Sequence, residues 1–353
     1  MRILIATSIY PPDIGGSAQC ARNLYQTWKD QGHEVIVASY GWERAVPPGL
    51  RHLLYFTKIL RKGWNADLVL VLDTWTAAVP TMAACKLMNK KYILRTSSDF
   101  LWERYVERTG DMVPFRDFYG TRLGHLSDRE KILFVAAQKV LRNATKVIFS
   151  TEWQRDIFEK AYGLDRAKND IVENYCGNKT EPVTPDGRVF IGGTRFLTWK
   201  NQRTLNEAFE QAQRELKQGK QEQAHRKLEN EPEKVILTDI ELDTSKATYD
   251  TFIGRMRRSW AVILVSLSEI SPNIIFDAIS AGVPFILTKE TGISNRVSSA
   301  AIFVDPLNKK EITEKIVWLS DPKNRAAQAE KVRQIYFSHS WKEIADEIVR
   351  QKI

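Results

Sequence analysis

Short apolar runs alternate along the chain with longer stretches of helical period. RILIAT (2–7), EVIVAS (34–39), DLVLVLD (67–73), KYILRT (91–96), KVIFST (146–151) and DIVEN (170–174) read as strands. Helical patterns fall between them at residues 18–31, 75–88, 99–108 and 128–143. The strand runs are rich in Val, Ile and Leu without strict alternation. That pattern suits strands covered on both faces, as in a parallel sheet with helices on either side.

The alternation breaks at YCGNKTEPVTPDGR (175–188), whose Pro and Gly content marks a linker. It then restarts with RVFIGG, a helix from Asn201, KVILT (234–238), a helix at 248–259, AVILVS (261–266), a helix at 272–281, PFILT (284–288) and AIFVD (301–305). SWKEIADEIVRQKI closes the chain as a helix. The run 211–234 holds almost no apolar residues and reads as a solvated helix or lobe tip. At roughly 100–200 residues per domain, a chain of 353 residues makes two such α/β domains. Tandem open sheets leave a central cleft between the domains, and ligands bind beyond the carboxyl ends of the strands.

Composition narrows the class. Cys20, Cys85 and Cys176 are far apart, which supports neither a zinc knuckle nor a disulfide framework. No window reaches the roughly 20 apolar residues of a membrane span, and no secretory leader is evident at the start. The expectation is a cytoplasmic protein, free or peripheral at the inner face of the cytoplasmic membrane. The net charge of +9 favours anionic partners. No nucleic-acid-binding motif stands out, so no nucleic-acid partner is expected. The basic residues Arg104, Arg108, Arg116, Arg122, Arg129 and Lys131, near Trp102, Phe115, Phe118, Tyr119 and Leu123, suggest a face for an anionic membrane surface.

Four stretches carry candidate chemistry. In SEISPNIIFDAISAGVPFILT, Ser271 reads as an N-cap and Pro272 as the first helical residue. Glu269 then sits in the strand-to-helix loop and Asp277 points off the helix. At helical rise their α-carbons stand about 12 Å apart. The helix N-terminus, around Ser271, Pro272, Asn273 and Ile274, offers N–H groups to an anion between them. Helix-start charges are the plain alternative for both carboxylates.

In FIGGTRFLTWKNQRTL, Arg195 and Lys200 follow a strand and precede a helix capped near Asn201. Two such cations can grip a diphosphate, or form an ordinary basic loop. YPPDIGGSAQCARNLYQTW places Gly15 and Gly16 after the first strand, where backbone can approach a ligand or simply turn. ILRTSSDFLWER places Asp99 just past a strand, as a ligand contact or an N-cap. Tyr10, Trp42, Trp75 and Trp102 are candidates to line an acceptor site or ordinary filler. The five histidines show no metal-ligand spacing, and DIELD (239–243) lacks partners, so no metal site is expected.

Taken together and in this order, these stretches resemble the retaining family 4 glycosyltransferases of GT-B fold. The likeness spans nearly the whole chain. The opening YPPDIGG and GHEV resemble the family's P-P-x-x-G-G loop and G-H-x-V turn, and IVENY resembles the segment before its linker. Arg195 and Lys200 match the phosphate-gripping pair; Glu269 and Asp277 match the Glu, seven residues, Glu motif. The resemblance implies two Rossmann-like domains: residues 1–178 for the acceptor, with helix 338–353 packed back on them, and 179–337 for the nucleotide-sugar donor. It implies Glu269 facing the donor sugar, Asp277 on the ribose hydroxyls, Gly15 and Gly16 near the donor, and no metal or other cofactor.

The implied reaction moves a sugar from a UDP- or GDP-sugar to a glycan or lipid-linked acceptor, with retention, in surface polysaccharide or glycolipid synthesis. The sequence departs from the family at Asp277, one methylene shorter than Glu, and at Thr194, where Gly is usual. Asp99 stands where many members carry a catalytic His, although SDFLWER resembles a variant found in others. A strand-and-glycine segment is replaced by the polar run 211–234. These departures keep a second reading open, a catalytically weak sugar-nucleotide-binding or scaffold protein of the same fold. A related nucleotide-sugar epimerase is a third.

Overall fold

The computed structural model describes residues 1–13, 15–96, 98–193, 195–227 and 239–351. The chain begins with β1 (Arg2–Ala6), α1 (Gly16–Asp30), β2 (Glu34–Ala38), α2 (Pro48–Gly63), β3 (Leu68–Val71), α3 (Ala78–Leu87) and β4 (Ile93–Thr96). It continues with α4 (Phe100–Thr109), α5 (Phe115–Thr121), α6 (Asp128–Asn143), β5 (Lys146–Phe149), α7 (Glu152–Tyr162) and β6 (Asn169–Ile171). A second series runs β7 (Arg188–Gly192), α8 (Gln202–Lys227), β8 (Ile240–Asp243), α9 (Tyr249–Arg257), β9 (Ala261–Leu264), α10 (Asn273–Ala281), β10 (Phe285–Thr288), α11 (Ser294–Val297) and β11 (Ile302–Val304). Helices α12 (Lys309–Leu319), α13 (Pro322–Gln334) and α14 (Trp341–Arg350) complete it.

Two compact units result. Unit 1 comprises Met1–Tyr105, Arg116–Tyr175 and His339–Ile353; unit 2 comprises Val106–Phe115 and Cys176–Ser338. The division thus falls at 175/176 rather than 178/179, and the short segment 106–115 groups with unit 2.

Unit 1 holds a six-stranded sheet in the order β2-β1-β3-β4-β5-β6, every pair parallel. Its inner strands are buried on both faces: every residue of β3 and β4 is inaccessible. Ile3, Ile5, Leu24, Trp28, Leu70 and Ile348 share one core cluster. The terminal helix α14 belongs to that cluster. Ser340 and Glu343 form its capping box, and Trp28 Nε1 donates to the Ala345 carbonyl at 3.3 Å.

Unit 2 holds a five-stranded parallel sheet in the order β11-β10-β9-β7-β8. Both sheets share one logic. The first strand of each lies between the second and third, so the chain reverses direction across the sheet between the first and third strands. Such a switch point opens a crevice at the carboxyl edge. In unit 1 it lies between β1 and β3, and in unit 2 between β7 and β9.

Several expectations need correction. α2, α5, α7, α11, α12 and α13 fall where the sequence pattern predicts no helix. DIVEN contributes only its first two residues to β6, which begins at Asn169. The strand expected at 234–238 lies outside the described residues, as does part of the polar run 211–234; the described part of that run is in α8 as far as Lys227. The inner face of α8 is anchored by Leu205, Ala208, Phe209 and Ala212. IELD, weighed only as a metal site, is β8 beside β7.

Candidate functional site in the second unit

The loop after β7 carries the cations. From Gly192 the chain runs through exposed Arg195 into a 3-10 turn, Thr198–Lys200. Asn201 then takes a left-handed conformation (φ 55°). It does not cap α8 with its side chain as expected. Its Nδ2 donates to the carbonyls of Val265 at 3.0 Å and Pro306 at 2.7 Å. That side chain ties the turn to the loops beside it, so the cations start from a fixed base.

Trp199, overlooked in the sequence, is buried beneath both cations. The Arg195 guanidinium carbon lies 5.8 Å from its ring centroid and Lys200 Nζ lies 4.3 Å from it. A cation over an indole face is stabilised by the ring quadrupole. The indole therefore gathers two positive charges that would otherwise spread apart in solvent. Its sequence signal was its place between them.

The loop after β9 carries the acid. Because β9 pairs directly with β7, the two loops emerge side by side at the switch point. Lys200 Nζ and Glu269 Oε1 meet at 2.6 Å. The same Oε1 accepts from Ser266 Oγ at 2.6 Å. Glu269 is 7% exposed. Its backbone N–H donates to Glu290 O at 2.8 Å and its carbonyl accepts from Gly292 N at 3.0 Å. The carboxylate is thus set by two hydrogen-bonded partners and a clamped backbone, a rigid placement suited to a binding group.

Helix α10 begins at Asn273, one residue later than expected. Pro272 occupies the N-cap position in extended conformation, with no side-chain cap, so Ser271 is not the cap. A helix start without a side-chain cap is where an anion can be held. The 12 Å expected from Glu269 to Asp277 also changes: helical rise holds only from Asn273 onward. Gly282 ends the helix in the left-handed region (φ 68°), as Gly at that position permits.

Asp277 faces α9, where Tyr249 OH donates to its Oδ1 at 3.0 Å. Burial is the larger influence on this carboxyl and pushes it up to about 6, while the Tyr249 bond acts the other way. Tyr249 itself carried no sequence signal. Arg195, Lys200, Glu269 and α10 thus gather at one sheet edge, and Asp277 lies one turn into α10.

The remaining expected residues belong to unit 1. Gly15 is the residue before α1 and Gly16 its first. A β-carbon on Gly15 would meet Ile9 Cδ1 at 2.8 Å, so the loop is packed closely against its own strand's exit. Asp99 is 2% exposed. Its Oδ1 accepts from Trp102 N at 2.9 Å, and its Oδ2 accepts from Tyr119 OH, which meets Tyr162 OH at 2.6 Å. Burial raises the Asp99 carboxyl above its usual range. The structure therefore gives Asp99 the N-cap role, with both oxygens engaged. Trp102, Phe115 and Phe118 are core residues, and Trp42 is exposed.

Among the described residues, no three His, Cys, Asp or Glu side chains gather as a metal would need, and no helix is long and apolar enough to cross a membrane.

No family model matches the chain, and no curated protein matches it significantly. Solved structures do match. Anabaena HepE in complex with UDP superimposes with a TM-score of 0.66 at 16% identity, over 99% of both chains. Trehalose-6-phosphate synthase OtsA gives 0.68 at 11% identity, over 99% of this chain and 98% of that one. WaaG, a glycosyltransferase involved in lipopolysaccharide biosynthesis, gives 0.66 at 13% identity, over 99% and 98%. The chain has the GT-B fold. In this GT-B chain, the cations, Glu269 and the start of α10 all lie in the second parallel-sheet unit.

Proposed function

We propose that this chain is a glycosyltransferase that moves a sugar from a nucleotide-diphosphate donor to an acceptor hydroxyl. The observation that carries the reading is the meeting of Lys200 and Glu269 at the β7–β9 switch point, with Arg195 on the same indole and an uncapped helix start beside them. The solved GT-B structures support it, HepE having been crystallised with UDP.

The chemistry follows from charge. Breaking the bond between sugar and phosphate leaves negative charge on the diphosphate. Fixed cations and helix N–H groups stabilise that charge more in the transition state than in the ground state. Arg195 supplies a planar fork and Lys200 a point charge. When the diphosphate arrives, Lys200 turns toward it from Glu269, which is freed to accept from a sugar hydroxyl. Asp277 accepts from the ribose hydroxyls.

The reaction proceeds with retention, the acceptor hydroxyl attacking from the face the diphosphate leaves and passing its proton to the departing phosphate oxygen. No metal is required, because Arg195, Lys200 and the start of α10 supply the positive charge. The acceptor is a glycan or lipid-linked, in surface polysaccharide or glycolipid synthesis, and the protein works as a peripheral protein on the cytoplasmic face of a membrane.

The test is a panel of UDP-, GDP-, ADP- and dTDP-sugars, each followed for nucleotide binding and for release or transfer of the sugar. Binding with turnover of at least one donor is expected. Binding without turnover would assign the chain to the binding or scaffold reading instead. Interconversion of a donor sugar without transfer would assign it to the epimerases.

A further inference from the structure

The outer face of α2 carries large apolar side chains where a surface helix is ordinarily polar. Tyr55 and Ile59, fully buried, fix its inner face. On the opposite side Leu50, Leu53, Thr57, Arg61 and Trp64 follow one another at spacings of three and four, a single helical stripe. Leu50 is 48% exposed, Leu53 58% and Trp64 64%. α3 packs beside α2, and Leu87 at its end is 68% exposed. α6 packs beside α3 and continues the layer outward with exposed Ile132 and Val135 between Lys131 and Lys139.

The charge on this layer has one sign over long stretches. Residues 44–66 contain five Lys or Arg, of which Arg44 pairs with Asp13, and no Asp or Glu. Residues 74–98 contain four, of which Arg95 is buried in β4, and again no acid. Glu43, just before the first stretch, is buried against Lys58, and Asp67, just after it, accepts from Arg2 N at 2.8 Å. On α6, Asp128 pairs with Lys131 at 3.1 Å. Arg61, Lys62 and Lys86 remain exposed.

We infer that the outer face of the α2–α3–α6 layer docks on an anionic membrane. Large exposed apolar side chains gathered on neighbouring helices mark an interaction site. An apolar stripe rimmed by basic residues fits the headgroup boundary, where Leu and Trp enter the acyl region while Arg and Lys meet lipid phosphates. A second copy of the chain fits poorly, because it would set two basic faces against each other. This surface replaces the stretch 104–131 expected from the sequence, where Trp102, Phe115 and Phe118 are core residues. It rests on the peripheral-membrane part of the proposed function and is independent of the donor reading, since it uses none of the residues of unit 2.

Flotation with vesicles of phosphatidylcholine, alone or mixed with phosphatidylglycerol, tests it. The whole protein is expected to float with the mixed vesicles only. Binding is expected to collapse as salt rises from 0.1 to 1 M and the Debye length shrinks from about 10 to about 3 Å. Arg61→Gln with Lys86→Gln is expected to weaken partition about 10- to 30-fold. Leu50→Ser with Leu53→Ser and Trp64→Ser is expected to abolish it, with an unchanged thermal melt showing the fold intact. Wild-type protein left unbound, equal binding to both vesicles, or undiminished binding by the folded triple variant overturns the inference. So does a concentration-dependent dimer that the triple variant loses while vesicles capture nothing.

Discussion

Lys200 and Glu269, 69 residues apart in sequence, form a 2.6 Å ion pair on the loops that leave neighbouring strands β7 and β9. The lysine side chain is 14% exposed and the glutamate side chain 9%. Removing one partner of a buried pair strands the other and costs about 3–5 kcal/mol. Lys200→Ala is therefore expected to lower the melting temperature sharply, and adding Glu269→Gln to restore much of it. A double variant no more stable than Lys200→Ala would show that the pair does not carry this energy.

Arg195 separates catalysis from stability. It is exposed, so Arg195→Ala is expected to change stability by less than about 0.5 kcal/mol. Loss of a transition-state donor nonetheless costs about 10²- to 10³-fold in kcat. A variant retaining half of the wild-type kcat would remove Arg195 from the phosphate site.

Asp277 imposes a pH dependence. Its carboxyl rises on folding from 3.8 to about 6, chiefly through burial. The folded state holds this proton more tightly than the unfolded one. Stability from this group is thus greatest below pH 3.8, falls as pH rises toward 6, and stays low above that. Asp277→Asn is expected to stabilise the protein above pH 7 by up to about 3 kcal/mol, with little gain below pH 4. Nucleotide affinity is expected to rise through pH 6 in wild type, because the ionised carboxylate is the better acceptor for ribose hydroxyls. A flat affinity profile, or the same profile in Asp277→Asn, would take the ribose away from this residue.

Much of this was legible in the sequence because it is local. Runs such as LVLV and AVIL, apolar at every position, announce strands covered on both sides, and Arg195, Lys200 and Glu269 follow such runs directly. α2 escaped for the reason that makes it notable. Leu50, Leu53, Leu54, Leu60 and Trp64 put apolar residues where a polar face would have marked the helix. Contacts over long sequence separations were equally hidden. Pairing Lys200 with Glu269 requires knowing that β7 lies beside β9, and pairing Tyr249 with Asp277 requires knowing that α9 packs on α10. Asp99 reads from the sequence as a cap or a ligand contact, and its bonds to Trp102 N and Tyr119 come into view only in the fold.

Asp99→Ala follows from those bonds. Loss of an N-cap costs about 1–2 kcal/mol, and the Tyr119 hydroxyl loses its acceptor as well. A lower melting temperature with unchanged nucleotide affinity is expected. Weakened nucleotide binding in a variant that melts like wild type would return Asp99 to a ligand role.

Turnover is expected to survive EDTA, since in the proposed reaction Arg195, Lys200 and the start of α10 meet the charge on the leaving diphosphate. Activity abolished by the chelator and restored by magnesium or manganese would contradict this.

The central claim is that the loops after β7 and β9 hold the diphosphate of a sugar nucleotide. Calorimetric titration of UDP, GDP, ADP and dTDP into wild type and Arg195→Ala tests it most directly. Saturable binding of at least one nucleotide by wild type is expected, weakened at least about tenfold in Arg195→Ala, the loss of one charge-assisted hydrogen bond. Binding of none of the four, or equal binding by the two proteins, would contradict it.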